Sequence, residues 1–204
     1  MAVDKPAGMV VHPTYRNWSG TLLNGLLART PEPRIVTRLD KDTSGVVLVA
    51  QSADVHARVQ RDGGAGRIRK QYLAIVHGTP APAGGSIDLP LARSADDRRL
   101  VVVDAAGQAS RTTYDVVSAS GGCALVRCEL VTGRTHQIRV HLAALGCPVV
   151  GDSVYGTPHP GMGRQALHAW RITLPHPVSG DTLEIEAAVP PDLQRFMSDQ
   201  NLRL

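Results

Sequence analysis

A charged turn leads directly into an apolar run at residues 37–50, which read TRLDKDTSGVVLVA. The apolar residues 46–50 are partly β-branched and follow Gly45, so they predict a short buried strand. Two carboxylates and two cations lie within the five residues 38–42. Charges packed against a core strand are costly unless they are paired. Local composition alone leaves two readings open, a solvated turn or a functional site.

Working outward, the sequence predicts short strands at residues 72–76, 100–103, 112–117 and 124–131, and a closing β-pair at 167–174 and 182–189. Predicted helices start after the N-caps Thr21, Ser52 and Thr135, and a last one starts near Asp192. We expect the second helix to end near residue 60, a flexible turn at 62–66 and a Pro/Gly-rich link at 78–85. Because strands and helices do not alternate regularly, the predicted fold class is α+β, with a largely antiparallel mixed central sheet flanked by helices.

Composition narrows the class of protein. Apolar residues make up 43% of the 204-residue chain and charged residues 20%, so a folded domain is expected. The net charge of +4 is compatible with a polyanionic partner but does not establish one. Aromatic residues make up only 3%, which argues against an RNA-binding sheet that stacks several bases on exposed rings. Three cysteines without a secretory signal or a membrane-length apolar run indicate a reducing, cytoplasmic location.

Other site chemistries find little support in the sequence. The nearest histidine pair, His136 and His141, has no zinc-protease spacing, and Cys123 and Cys128 have no second pair at finger spacing. P-loop, Rossmann and nucleophile-elbow motifs are absent as well. We therefore expect neither a metal nor a cofactor. Residues 129–141, ELVTGRTHQIRVH, place Arg134 between a predicted strand and a helix that carries Arg139; periodicity alone does not separate a site from a capped basic helix.

Five phrases in order resemble the RluA-type pseudouridine synthase family, and they span residues 3 to 193 or so. The phrases are DKPAGMVVHP (4–13), RLDKDTSGVVLVA (38–50), RKQYLAIV (69–76), GRTHQIRVHLAALGCPVVGDSVYG (133–156) and QALHAWRITLPHP (165–177). The resemblance implies the pseudouridine synthase fold, with a central RNA-binding cleft. It also implies isomerisation of selected uridines in structured RNA, without a cofactor.

The same resemblance assigns roles to individual residues. Asp40 matches the catalytic aspartate, Arg134 its ion-pair partner, and Tyr72 the tyrosine over the target uracil. Ile138 matches an aliphatic residue that lines the pocket, and Arg38 an arginine implicated in flipping the nucleotide.

We add phosphate contacts from Lys5, from Arg139 and from the basic segment 67–70 as an expectation of our own. Thr37 departs from the family, in which histidine is common at this position. We expect the Asp40–Arg134 pair to be buried, so that its loss would also destabilise the fold.

Residues 3–204 are expected to form one catalytic domain, compact or truncated at the N-terminus, without a separate N-terminal RNA-binding domain. The expected substrate is 23S ribosomal RNA, with transfer RNA as the alternative, and the protein is expected to be a monomer without a membrane or protein partner. Two other functions stay open. One is a noncatalytic RNA-binding or ribosome-assembly protein, and the other is a metal-dependent nuclease or hydrolase built on Asp40, Asp42 and the histidines.

Overall fold

The computed structural model describes residues 1–15 and 17–204. Two compact units divide the chain: unit 1 comprises Met1–Lys70 and Ala169–Ala188, and unit 2 comprises Gln71–His168 and Val189–Leu204. The strands are β1 (Ala2–Lys5), β2 (Arg34–Ile35), β3 (Ser44–Ala50), β4 (Arg69–His77), β5 (Gly84–Asp88), β6 (Leu91–Arg93), β7 (Val101–Val103), β8 (Arg111–Ser120), β9 (Cys123–Leu130), β10 (Leu167–Pro175) and β11 (Thr182–Glu186). The helices are α1 (Leu22–Leu27), α2 (Ala53–Gly64), α3 (Gln137–Ala144) and α4 (Pro191–Asp199). The predicted α+β class is confirmed.

Unit 1 is built around β3, every residue of which is buried. Its sheet has the order β1–β3–β10–β11, and β2 also pairs with β3. Alternate β3 side chains enter two separate clusters, as the two-residue period of a strand requires. Val46 and Leu48 pack with residues of α2 and β10, whereas Val47 and Val49 pack with residues of α1. The predicted buried strand is confirmed and extends back to Ser44.

Gly45 connects the charged turn to β3 and has a φ of 113°. A Cβ atom there would lie 2.1 Å from the carbonyl oxygen of Ala169 in β10. No side chain fits at that distance, so glycine lets the charged turn lie directly against the neighbouring backbone.

Unit 2 contains the antiparallel sheet β4–β9–β8–β5 and the separate pair β6–β7. The centre of this sheet is fully apolar and buried, from Leu73 to Val76 on β4 and from Ala124 to Val126 on β9. Strands β5 and β6 were not predicted, because β5 (GGSID) carries Gly and Asp and β6 (LAR) is only three residues long and follows Pro90. Pairing with β8 and β7, rather than local propensity, holds them.

Helix boundaries agree with the prediction in part. Thr21 and Ser52 do cap α1 and α2, accepting hydrogen bonds from Asn24 N and Val55 N. The predicted end of α2 is wrong, because the helix continues to Gly64. Asp62 is buried, and its carboxylate accepts a hydrogen bond from Arg67 Nε at 3.1 Å. The backbone N of Arg67 donates to Asp62 O at 2.9 Å, which ends the helix.

Thr135 does not cap α3. The helix begins at Gln137 after His136, which has a left-handed backbone with φ 55° and makes no side-chain capping bond. The predicted C-terminal glycine is confirmed, since Gly146 has a φ of 75°. Within the described residues, no helix is both long and apolar enough to cross a membrane.

Candidate functional site

Asp40 lies in the turn that precedes β3 in unit 1. Asp40 is half-buried, and its backbone carbonyl accepts a hydrogen bond from Thr43 N at 3.2 Å. Thr43 and Ser44 are buried behind it. The turn is therefore an ordered part of the core boundary rather than a solvated loop.

Lys5 is fully buried and holds this turn from the side of β1. Its Nζ donates to the carbonyl oxygens of Pro6 at 2.8 Å, Met9 at 2.9 Å and Lys41 at 3.0 Å. All three ammonium protons thus have acceptors, which a buried lysine requires. The expected phosphate contact of Lys5 is wrong, and the side chain instead ties the 6–9 turn to the residue that follows Asp40.

Arg38 is exposed, two residues before Asp40. Burial lowers the pKa of His12, and the charge of Arg38 lowers it further, so the guanidinium acts on the imidazole. Thr37, which departs from the family pattern, accepts a hydrogen bond from Leu48 N at 2.9 Å through its hydroxyl. The Thr37 side chain therefore provides an acceptor for a backbone amide of β3.

In unit 2, Gln137 organises the segment that carries Arg134. The side chain is 2% exposed. Its Oε1 accepts from the hydroxyl of Thr132 at 2.8 Å and from Arg134 N at 2.9 Å. Its Nε2 donates to Arg111 O at 2.9 Å and to Thr112 Oγ1 at 3.0 Å. One buried amide thus fixes the backbone of Arg134 against the start of β8.

His136 is held in its left-handed conformation by Tyr155. The tyrosine OH accepts a hydrogen bond from Val101 N at 2.9 Å. Its oxygen also lies 2.7 Å from His136 Nδ1, so the hydroxyl proton can be donated to that nitrogen. The two rings also meet edge to face. A left-handed non-glycine residue is uncommon and is kept only where surrounding contacts determine it.

Arg139 forms a buried ion pair with Asp152. Its Nε and one terminal nitrogen donate to the two carboxylate oxygens at 2.7 and 2.9 Å, and its guanidinium covers the Tyr155 ring at 4.9 Å. Burial by itself raises the pKa of Asp152. The charge and hydrogen bonds of Arg139, together with hydrogen bonds from the amides of Val154 and Tyr155, lower the pKa by more. The pKa of Asp152 therefore lies below its ordinary value. The expected phosphate contact of Arg139 is therefore wrong.

Arg134 itself is exposed, whereas Tyr72 on β4 and Ile138 on α3 are buried. The expectation that Arg134 belongs to a buried pair is wrong, and the buried arginine of this region is Arg139. The pairing of Arg134 with Asp40 and the contacts of Tyr72 and Ile138 with a uracil stay predictions.

Sequence reasoning missed three residues of this network: Gln137, Asp152 and Tyr155. Their phrases, THQIR and GDSVYG, were recognised, but 13 and 19 residues separate Asp152 from Arg139 and Tyr155 from His136. No helix or strand period links positions so far apart. Only their chemistry hinted at a role, since a buried arginine needs a carboxylate.

Alternative site chemistries receive no support from the described residues. No group of three His, Cys, Asp or Glu side chains there is placed to hold a metal ion. The three thiols are free, and burial raises the pKa of each, that of Cys128 to about 12. A thiol in that state is a poor nucleophile at neutral pH.

Comparison with known proteins identifies the family. The family model for RNA pseudouridylate synthase matches residues 1–144. The ribosomal large subunit pseudouridine synthases D of Nitrosomonas europaea and Xanthomonas campestris are 43% and 42% identical over 96% and 97% of this chain. The chain spans 61% and 66% of their respective lengths.

Solved structures agree with this match. Human RNA pseudouridylate synthase domain containing 4 has a TM-score of 0.79 and 25% identity, covering 100% of this chain and 90% of its own. Human RNA pseudouridylate synthase domain containing 1 has a TM-score of 0.76 and 27% identity, covering 94% and 81%. Sequence and fold lead to the same family, and the chain belongs to the RNA pseudouridylate synthases.

Proposed function

We propose that this protein isomerises uridine to pseudouridine in structured RNA, with ribosomal RNA as its substrate class. The family match over residues 1–144 carries the proposal, because it includes both the RLDKDTSG turn and the GRTHQIR segment. Relatives named as ribosomal large subunit synthases favour ribosomal over transfer RNA. The free thiols suit a reducing compartment, so we also propose a cytoplasmic location. A monomer is part of the same proposal.

Asp40 is the catalytic carboxylate in this proposal. Arg134 orients that carboxylate and stabilises its charge, since guanidinium–carboxylate hydrogen bonds are strong and directional. Tyr72 stacks on the target uracil and Ile138 lines the same pocket. Arg38 helps to evert the nucleotide, in keeping with its exposure beside the Asp40 turn.

The chemistry is an internal exchange of bonds. The N1–C1′ glycosidic bond breaks, the base turns, C5 joins C1′, and the proton from C5 leaves to solvent while N1 gains one. Atoms and electrons balance within the substrate and water. The base must first leave its stack, which costs a few kcal/mol and least at irregular sites. The held Asp40 turn and the held Arg134 backbone support the proposal, because preorganised groups need no rearrangement during reaction.

Replacing Asp40 by asparagine tests this assignment. We expect Asp40→Asn to abolish tritium release from ribosomal RNA labelled at uridine C5, because the amide can neither accept a proton nor attack the nucleoside. RNA binding, measured by filter retention, is expected to persist, since phosphate and shape contacts remain.

Asp42→Asn is the matched control, because it removes the same charge two residues away, at the second variable position of the Arg-Leu-Asp-x-x-Thr-Ser-Gly phrase. We expect it to retain turnover. Tritium release by Asp40→Asn would reject the assignment. RNA binding without tritium release by the unaltered protein would indicate a noncatalytic RNA-binding protein, and EDTA-sensitive strand cleavage would indicate a nuclease.

A further inference from the structure

Two aromatic rings stand in solvent on one loop of unit 1. The chain has seven Phe, Tyr and Trp residues. Five of them are buried or half-buried, whereas Tyr15 and Trp18 are 78% and 71% exposed. Isolated apolar residues on a surface are ordinary. This protein is poor in aromatic residues, yet its two strongly exposed rings lie within the same four residues of sequence. We call residues 12–20 the aromatic loop.

The aromatic loop has a fixed base. Leu22 N and Leu23 N donate to Val10 O at 2.9 Å and Val11 O at 3.1 Å, which joins the residues before and after the loop. The buried side chains of Val11 and Leu22 share a core cluster. The exposed rings are thus carried by a segment whose ends are anchored in the core of unit 1.

Backbone hydrogen bonds also join Thr14 and Asn17 within the aromatic loop. Thr14 N donates to Asn17 O at 3.1 Å, and Asn17 N donates back to Thr14 O at 2.8 Å. The Asn17 amide reaches the hydroxyl of Thr14 at 3.4 Å. Tyr15 follows the first of these two bonded residues in sequence, and Trp18 follows the second. Preorganisation lowers the entropy cost of binding.

An exposed arginine acts electrostatically on the start of the aromatic loop. Arg38 is exposed and acts on His12 at the start of the loop. Exposed rings combined with arginine are the composition of a stacking surface for single-stranded nucleic acid.

We propose that Tyr15 and Trp18 form a stacking surface for an unpaired base of the RNA substrate, beside the turn that carries Arg38 and Asp40. This inference rests on the proposed function and adds a contact that composition had argued against. A face presented by two rings accepts any base, because every base has a π-face. It would therefore secure irregular, unpaired RNA without reading its sequence.

Fluorescence provides the first test. The Trp170→Phe variant leaves Trp18 as the single tryptophan, since the chain has two. Titration with single-stranded oligouridylate RNA should quench its emission, whereas a fully paired RNA duplex of equal length should quench it much less. Equal quenching by both probes, or none by either, would overturn the stacking assignment.

Affinity provides the second test. Trp18→Ala should weaken binding of oligouridylate by about fivefold to a hundredfold, and Trp18→Phe should recover most of the loss because it restores a ring. The slope of log Kd against log salt should stay unchanged, because no phosphate contact is removed. A changed slope would identify a charge contact instead.

Val178→Ala is the matched control, because Val178 is 74% exposed in the same unit, on the β10–β11 turn. It should bind RNA as the unaltered protein does. Equal binding by Trp18→Ala and Val178→Ala would reject the stacking surface, even if the protein proves to be an active synthase. Ring-dependent binding without tritium release would retain the surface and reject the catalytic proposal.

Discussion

Two arginines lie five residues apart on the GRTHQIR segment, and we assign one to catalysis and the other to stability. Arg134 is exposed and is the one that we assign to catalysis, whereas Arg139 is buried against Asp152. Removing one partner of a buried ion pair leaves an uncompensated charge and typically costs about 3–5 kcal/mol. An exposed arginine carries no such cost. The two positions therefore separate stability from activity.

Arg139→Met is expected to lower the free energy of unfolding by about 3–5 kcal/mol, because Asp152 is left charged and buried. Arg134→Ala is expected to change it by less than about 0.5 kcal/mol, while abolishing most tritium release. Urea unfolding followed by circular dichroism measures the first quantity.

The double variant Arg139→Met/Asp152→Asn is the control for the buried charge. It should be more stable than Arg139→Met alone, because no unpaired carboxylate remains and the asparagine oxygen still accepts from Val154 N and Tyr155 N. A double variant as unstable as the single one would assign the loss to packing on Tyr155.

At the scale of the secondary-structure element, the start of α3 is set by hydrogen bonds between the Gln137 side chain and residues outside the helix. Gln137→Leu keeps the volume but removes the side-chain acceptor of the Arg134 amide and one of the donors to the Arg111 carbonyl. We expect a loss of about 1–3 kcal/mol in the free energy of unfolding. We also expect kcat/KM to fall at temperatures where the protein stays folded, because the backbone of Arg134 is no longer fixed.

Gln137→Glu separates positioning from bulk stability. Its carboxylate still accepts from Arg134 N and Thr132, so activity should recover further than in Gln137→Leu. Gln60→Leu, on the exposed face of α2, should alter neither quantity. If Gln137→Leu lowers stability while kcat/KM of the folded protein stays intact, Gln137 has no positioning role.

For the whole molecule, three histidines with lowered pKa values contribute to the response to acid. Burial lowers the pKa of His141 from its ordinary 6.5, although the Leu89 carbonyl and the charge of Asp88 oppose the shift. Thr112 and Leu89 occupy its two ring nitrogens at 2.9 and 3.0 Å, which suits the neutral ring. The pKa values of His12 and His77 are lowered as well, with burial the largest cause in each.

The sign of the pH dependence follows. Below pH 6.5 the unfolded chain binds protons that the folded chain does not, so the free energy of unfolding falls as pH drops toward the lowered pKa values. Urea titrations between about pH 5 and about pH 7.5 should show this decrease. His141→Gln should flatten the slope, and an unchanged slope would remove His141 from this account.

Much of the fold was predictable from sequence where the signal was local. The buried strand around 46–50 and the caps Thr21 and Ser52 need only an apolar run and a hydroxyl before a helix. The start of α3 was not predictable, because the Gln137 network overrides Thr135 as a cap. Strand β5 was missed because its partner β8 lies far along the chain, and β6 because its three residues are too short to show a strand pattern.

The family and its candidate residues came from sequence alone, through the resemblance of the phrases around Asp40 and Arg134 to the RluA-type pseudouridine synthases. Only tertiary structure decided what each cation does. It made Lys5 and Arg139 internal ties and left Arg38 and Arg134 in solvent. The physical reason is that a charge takes its role from its surroundings: burial demands a partner, and the partners of Lys5 and Arg139 include groups remote in sequence.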